Sequence, residues 1–274
     1  MKLTAPTKKP ITLRPLRPNA GLHAAYRKRI MALVQEMQDS LDYWLRAAYN
    51  AGEDPAMDSS EFVRKMARLP AKLMQEAMSR MVARWQKRFN EAAPKMATWF
   101  LQQQKTYADG TMQKILKDGG FSVEMVMTPA MHNVVQASIA ENVSLIKSIG
   151  SQHLTRIEGL VMRATLAGRD IGPLAKELQA QYGVTQRRAA FIARDQANKV
   201  TSQLASARQQ ELGITQGRWR HSGAGAEPRP EHVAASGKLF DLKKGMLLEG
   251  EWVLPGQAVR CRCSWSPIIP GLED

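Results

Sequence analysis

The sequence predicts an α+β protein: a long helical region of about six helices followed by a small, turn-rich, partly β module. Two observations predict it. Residues 22 to 213 are dominated by Ala, Leu, Met, Gln, Lys and Arg, with aliphatic or small residues recurring every three or four positions. Beyond Gly213 that period disappears, and Gly and Pro punctuate short apolar runs such as "GKLFDL", "MLLEGEWVL" and "CSWSPII".

Residues 1–20 come first. Pro6, Pro10, Pro15 and Pro18 alternate with Lys8, Lys9, Arg14 and Arg17 and leave little to bury, which reads as a basic extended arm. Such an arm is either an unattached terminus or a segment that docks on a partner or on phosphates. The helical region, 21–169, should break at "NAGEDPAMDSS" (50–60), near Pro94, at "KDGGFSVEMVMTP" (117–129) and at "AGRDIGP" (167–173). Its methionines Met66, Met74, Met78 and Met81 stand at helical spacing among alanines and read as core filling.

Two helices are expected after residue 169. In the first, Asp170 can cap, Pro173 sits in the first turn, Leu174, Leu178 and Tyr182 form one stripe, and Gly183 ends the element. The second opens at Thr185 and ends at Gly213, with a seam of Ala189, Ala193, Ala197, Val200, Leu204 and Ala207. Arg187, Arg194 and Arg208 fall largely off that seam, as a solvated face or as phosphate contacts.

The chain of 274 residues carries a net charge of +14 with a pI near 10.0, which favours polyanionic partners. Up to residue 220 there are 33 basic and 18 acidic side chains, a net +15; beyond it 6 face 7, a net −1. The basic character therefore belongs to the helical part. A run of 18 apolar residues is lacking, and prolines follow the basic N-terminus, so neither a membrane span nor a secretory signal is expected. Two cysteines one residue apart make a poor structural disulfide, which predicts a reducing compartment.

Those cysteines, Cys261 and Cys263, lie in "AVRCRCSWSP". With His232 they supply the thiolate and imidazole ligands that zinc prefers, and a fourth could come from His221, Glu227, Glu231 or water. The other reading of the same residues is a pair of buried, apolar thiols. H-E-x-x-H, P-loop and G-x-S-x-G motifs do not occur, so an enzyme is not expected.

"FIARDQANKVTSQLASARQQELGI", "WRHSGAGAEPRPEHVAASGKLF" and "LPGQAVRCRCSWSP", in that order, resemble the head-morphogenesis domain of tailed-phage minor head proteins, the Mu F-like family. The resemblance spans about residues 170–268, with helices to 213 and a small α+β module over 214–268, leaving 269–274 as a tail. It rests on Arg194, Gly213, Trp219, Arg229, His232, Gly237, Phe240, Pro255, Cys261, Arg262, Cys263 and Pro267. The chain departs from the pattern at Asp195 and Gln196. It also lacks the upstream cysteine pair that completes a four-thiolate site in some relatives, offering Glu231 and His232 instead.

The resemblance implies a virion protein of the capsid interior, associated with the portal vertex and present in the host cytoplasm during assembly. Its implied partners are the portal protein and double-stranded DNA bound without sequence preference, with major capsid protein, scaffolding protein and self-association as further candidates and no membrane. Lys8, Lys9, Arg14, Arg17, Arg187, Arg194 and Arg208 are the candidate DNA contacts, and zinc on His232, Cys261 and Cys263 is the candidate cofactor. The alternative function is a metal-dependent hydrolase, nuclease or toxin-like enzyme built on those three ligands, with Glu231 as its base.

Overall fold

The computed structural model describes residues 10–50, 71–166, 171–223 and 227–269. In chain order they form β1 (Ile11–Thr12), α1 (Ala20–Asn50), α2 (Ala71–Asp118), α3 (Pro129–Leu166), α4 (Ile171–Glu211), β2 (Gln216–Arg220), α5 (Pro230–Ala234), β3 (Leu239–Asp241), β4 (Met246–Leu248), β5 (Glu251–Val253) and β6 (Ser264–Ile269). The class is α+β as expected, with four long helices and one short helix among the described residues instead of about six. None of these helices is long and apolar enough to cross a membrane. Lys8, Lys9, Met66, most of the 50–60 break and residues 270–274 lie outside the described residues.

Two expected breaks are absent because packing overrides local propensity. Pro94 lies inside α2, where Phe89, Ala93, Ala97, Phe100 and Leu101 stay buried on one stripe. That burial outweighs the roughly 3 kcal/mol that an interior proline costs. Gly183 lies inside α4, flanked by the buried Tyr182 and Thr185, and the Thr185 hydroxyl donates to the Gln181 carbonyl at 3.1 Å. The break at 117–129 is present: α2 stops at Asp118 and α3 begins at Pro129, capped by Thr128, whose hydroxyl oxygen accepts the Met131 N–H at 3.1 Å.

The chain divides into two compact units, Ala25–Ala97 with Asn142–Ile192, and Met1–Ala24 with Thr98–Glu141 and Ala193–Asp274. The boundaries cut through α1, α2, α3 and α4, so packing does not follow the linear order of arm, helical region and module that the sequence suggests.

The first unit is helical. Tyr26, Ile30, Leu33, Val34, Met37 and Leu41 of α1 are buried at the spacing of one helical face, as are Met78, Met81, Trp85 and Phe89 of α2. Leu174, Leu178 and Tyr182 of α4 form the expected stripe, and Ala189, the first residue of the expected seam, is buried as well. Two buried polar groups are paired across the unit: the Tyr26 hydroxyl donates to Asn142 at 2.9 Å, and Trp85 Nε1 donates to Ser40 at 3.1 Å. Gly150 of α3 lies against the Phe89 ring, where a Cβ would stand 2.6 Å from a ring carbon. Gly150→Ala is therefore expected to destabilise by about 1–3 kcal/mol in chemical denaturation, with little change in helix content by circular dichroism.

The second unit holds a four-stranded antiparallel sheet in the order β1-β6-β2-β3 and a separate β4–β5 hairpin. The arm is not free over its described part. Ile11 pairs with Ile269 and Thr12 with Ile268, Leu13 N–H donates to Pro267 O at 2.9 Å, and Leu13 and Leu16 are buried. Pairing with β6 satisfies a backbone that its prolines keep extended.

The C-terminal half of α4 backs this unit with Ala193, Ala197, Val200 and Leu204, all buried; Ala207, the last expected seam residue, is only half-buried. The helix closes where the sequence predicts. Gly213 takes φ +77°, Gly213 N–H donates to Gln210 O at 3.0 Å, and Ile214 N–H donates to Gln209 O at 2.8 Å. The chain then enters β2 directly.

Candidate functional site

Cys261 and Cys263 precede β6 in a tight loop, and an extended chain sends alternate residues to the same side. Both cysteines are buried while Arg262 between them is exposed, which accounts for the C-x-C spacing. His232 comes from α5, a single turn with Pro230 at its start, and is also buried. Its Nδ1 stands 3.5 Å from Cys261 Sγ and 3.7 Å from Cys263 Sγ. Among the described residues, the ligand atoms of these three lie within 4.8 Å of one another.

Several parts of the second unit hold this geometry. Asp195 and Asn198 are three apart on α4, hence on one face. Asp195 accepts the Arg260 N–H at 2.8 Å, and Asn198 Nδ2 donates to the Cys261 carbonyl at 3.1 Å. The first of these bonds holds Arg260 at φ +63°, a left-handed conformation that a non-glycine residue adopts only when neighbours impose it. Gly256, at φ +88°, directs its N–H to Cys261 Sγ at 3.3 Å. Arg229 braces the loop from the other side, donating to Val259 O at 3.0 Å and pairing with Glu249 at 3.4 Å.

Aromatic packing fixes the imidazole. Trp219 is fully buried and meets His232 edge to face, with ring centroids 5.5 Å apart; Phe240 meets Trp219 at 5.8 Å and Trp265 at 6.2 Å. Gly217 makes room for this cluster, since a Cβ there would stand 2.7 Å from the Trp265 ring. Trp265 Nε1 in turn donates to Gln209 of α4 at 2.7 Å.

Hydrogen bonding from Cys263 brings the Cys261 thiol down from its ordinary value, against the opposing effect of burial, with the Gly256 N–H and His232 favouring the thiolate. The same interaction pushes Cys263 up. Two sulfurs and an imidazole converge in a cleft of about 420 Å³ that also has His221, Glu227, Arg229, Arg260 and Arg262 on its walls. Such a donor set suits a borderline-soft cation such as zinc.

Residues 155–266 match the family model for phage Mu protein F like proteins. Over this segment the chain is similar to the Mu F-like family. The Mu F-like match starts earlier than the 170 expected and ends at 266, so Pro267 falls just beyond it. An uncharacterized protein of Haemophilus influenzae is 33% identical over 147 residues, 54% of this chain. The match covers 32% of that protein, so the chain spans about a third of its relative's length. No solved structure matches.

The structure gives the Mu F-like motif positions distinct places. Gly213 and Gly237 occupy positive-φ turns at +77° and +86°; Trp219, Phe240, His232, Pro255 and Pro267 are buried; Arg194 and Arg262 are exposed. Glu231 does not join the cysteines: it is exposed and its carboxylate accepts the Glu249 N–H, which removes it from the base role of the hydrolase reading. Asp195 and Asn198 are the site residues that sequence reasoning missed. The signal present in the sequence was two polar residues three apart beside an alanine seam.

Among the candidate DNA contacts, Arg17, Arg187 and Arg194 are exposed, and Arg14 pairs with Asp118 at 3.0 Å on the surface. Arg208 is a correction. It is 2% exposed and bound to Asp109 through two hydrogen bonds of 2.8 and 3.0 Å, so its charge is spent inside the protein.

Proposed function

We propose that the protein is a non-enzymatic phage head protein that acts in head morphogenesis inside the capsid, docks at the portal vertex and contacts packaged double-stranded DNA through backbone phosphates. The observation that carries this reading is the Mu F-like match over residues 155–266. The charge supports the DNA part: a net +14 is concentrated before residue 221, while the cysteine module is close to neutral. Phosphate contacts from Arg17, Arg187 and Arg194, with Lys8 and Lys9 of the arm, would release counterions without reading base edges.

Co-sedimentation of the purified chain with cognate portal rings, with and without DNA, across a salt series tests the proposal. Five phosphate contacts predict that DNA affinity falls by about 10²–10³-fold between about 50 and 200 mM salt, while portal binding persists. Salt-sensitive DNA binding without portal binding would instead indicate a free nucleic-acid-binding protein.

A further inference from the structure

We infer that His232, Cys261 and Cys263 form a three-ligand zinc-type metal site whose fourth position faces the arginine-lined cleft and takes an anionic oxygen ligand. The inference does not depend on the portal or DNA reading.

Zinc bonds of about 2.3 Å to sulfur and about 2.0–2.1 Å to nitrogen, set at tetrahedral angles, require an S···N edge of about 3.6 Å. The two edges in the structure are 3.5 and 3.7 Å, both to the same Nδ1. Both S···N edges therefore fit a single cation, and the S···S edge, within 4.8 Å, has to come to about 3.8 Å for both sulfurs to bond it.

Cys261 is fixed through its carbonyl by Asn198 and through its sulfur by the Gly256 N–H, and the residue before it is held at φ +63° by Asp195. His232 is fixed by its edge contact with Trp219. A loop with only apolar thiols to bury has no use for a constrained left-handed arginine. Outer contacts of this kind are what orient metal ligands.

Among the described residues no fourth His, Cys, Asp or Glu places a ligand atom in this cluster. The cleft beyond it, about 420 Å³, has Arg229, Arg260 and Arg262 on its walls with one carboxylate, Glu227, and of these Arg229 is also paired with Glu249. A divalent cation with two thiolates is neutral, so an anion in the fourth position adds a negative charge that the guanidiniums are placed to balance. Three protein ligands with an exogenous fourth is the pattern of accessible zinc sites, whereas closed structural sites use four.

The test uses the full chain, stripped of metal under reductant and titrated anaerobically with Co²⁺ and then Zn²⁺. One Co²⁺ per chain is expected, with near-ultraviolet thiolate-to-cobalt absorption and the visible bands of tetrahedral cobalt, both lost on adding Zn²⁺. X-ray absorption of the wild-type zinc form should show two sulfur and two nitrogen or oxygen neighbours. Cys261→Ser and Cys263→Ser should each weaken Co²⁺ binding at least about 100-fold while far-ultraviolet dichroism stays unchanged.

Acetate and inorganic phosphate should each shift the visible cobalt bands, and Arg262→Ala, at an exposed position outside the ligand set, should keep the metal but weaken that response about tenfold. Absence of the thiolate band, or cobalt binding that survives both cysteine variants, overturns the metal site. Bands that ignore both anions in the wild type but respond in Glu227→Gln would show that Glu227 fills the fourth position, and would overturn the open site.

Discussion

Replacing Arg208 by alanine is expected to destabilise the protein by about 3–5 kcal/mol, because it strands the buried Asp109 carboxylate and removes the partner of the half-buried Glu211. The guanidinium is 2% exposed, holds both Asp109 oxygens at 2.8 and 3.0 Å, binds Glu211 at 3.0 Å and donates to the Val126 carbonyl. Glu211 in turn accepts from Thr128, the cap of α3, so one side chain ties α2, α4 and the connection between α2 and α3. Lys105, 2.8 Å from Asp109, keeps part of the compensation and favours the low end of the range. Urea denaturation of Arg208→Ala measures the loss, and Arg208→Met combined with Asp109→Leu should restore most of it, since two matched apolar groups leave no buried charge. A loss below about 1 kcal/mol in the single variant would mean that water reaches Asp109.

Acid should weaken the protein through His153. Its side chain is 1% exposed, and its Nδ1 is 2.8 Å from Thr185 Oγ1, whose proton goes to the Gln181 carbonyl. Nδ1 is therefore assigned as the donor and the ring is neutral. Burial pushes His153 down from 6.5 to about 4. The unfolded chain takes up this proton near pH 6.5 and the native protein only near 4. The contribution is thus complete above about pH 6.5 and lost progressively as pH falls to about 4, a total of about 3 kcal/mol. Carboxylates titrate in part of the same window, so the measurement is a comparison: the urea midpoint between pH 7 and 4.5 should fall more steeply in wild type than in His153→Gln. Equal slopes would place water at the ring.

The contrast between these two residues and the cysteine module shows what was legible in the chain. Helices, the alanine seam of α4, the Gly213 stop and the change of grammar after it were readable because each is written in spacings of a few residues. The ligand set was readable for the same reason that made it ambiguous: thiolate and imidazole are chemically telling, but C-x-C serves a metal site and a buried turn equally. Pro94 and Gly183 were misread because burial on either side outweighs a local penalty of about 1–3 kcal/mol. Arg208 was misread because a charge says nothing of its partner when that partner, Asp109, is 99 residues away.

The sequence by itself determined the α+β class, the basic helical part and neutral module, and the residues that carry the Mu F-like resemblance, all properties of composition and short-range order. Tertiary structure decided the rest. It paired Ile11–Thr12 with the end of the chain at β6, buried Arg208, and brought His232 within 3.5 and 3.7 Å of two sulfurs under the hold of Asp195 and Asn198. The reason is physical: burial and pairing satisfy backbone and charge across long stretches of chain, and no local pattern encodes which distant group will arrive.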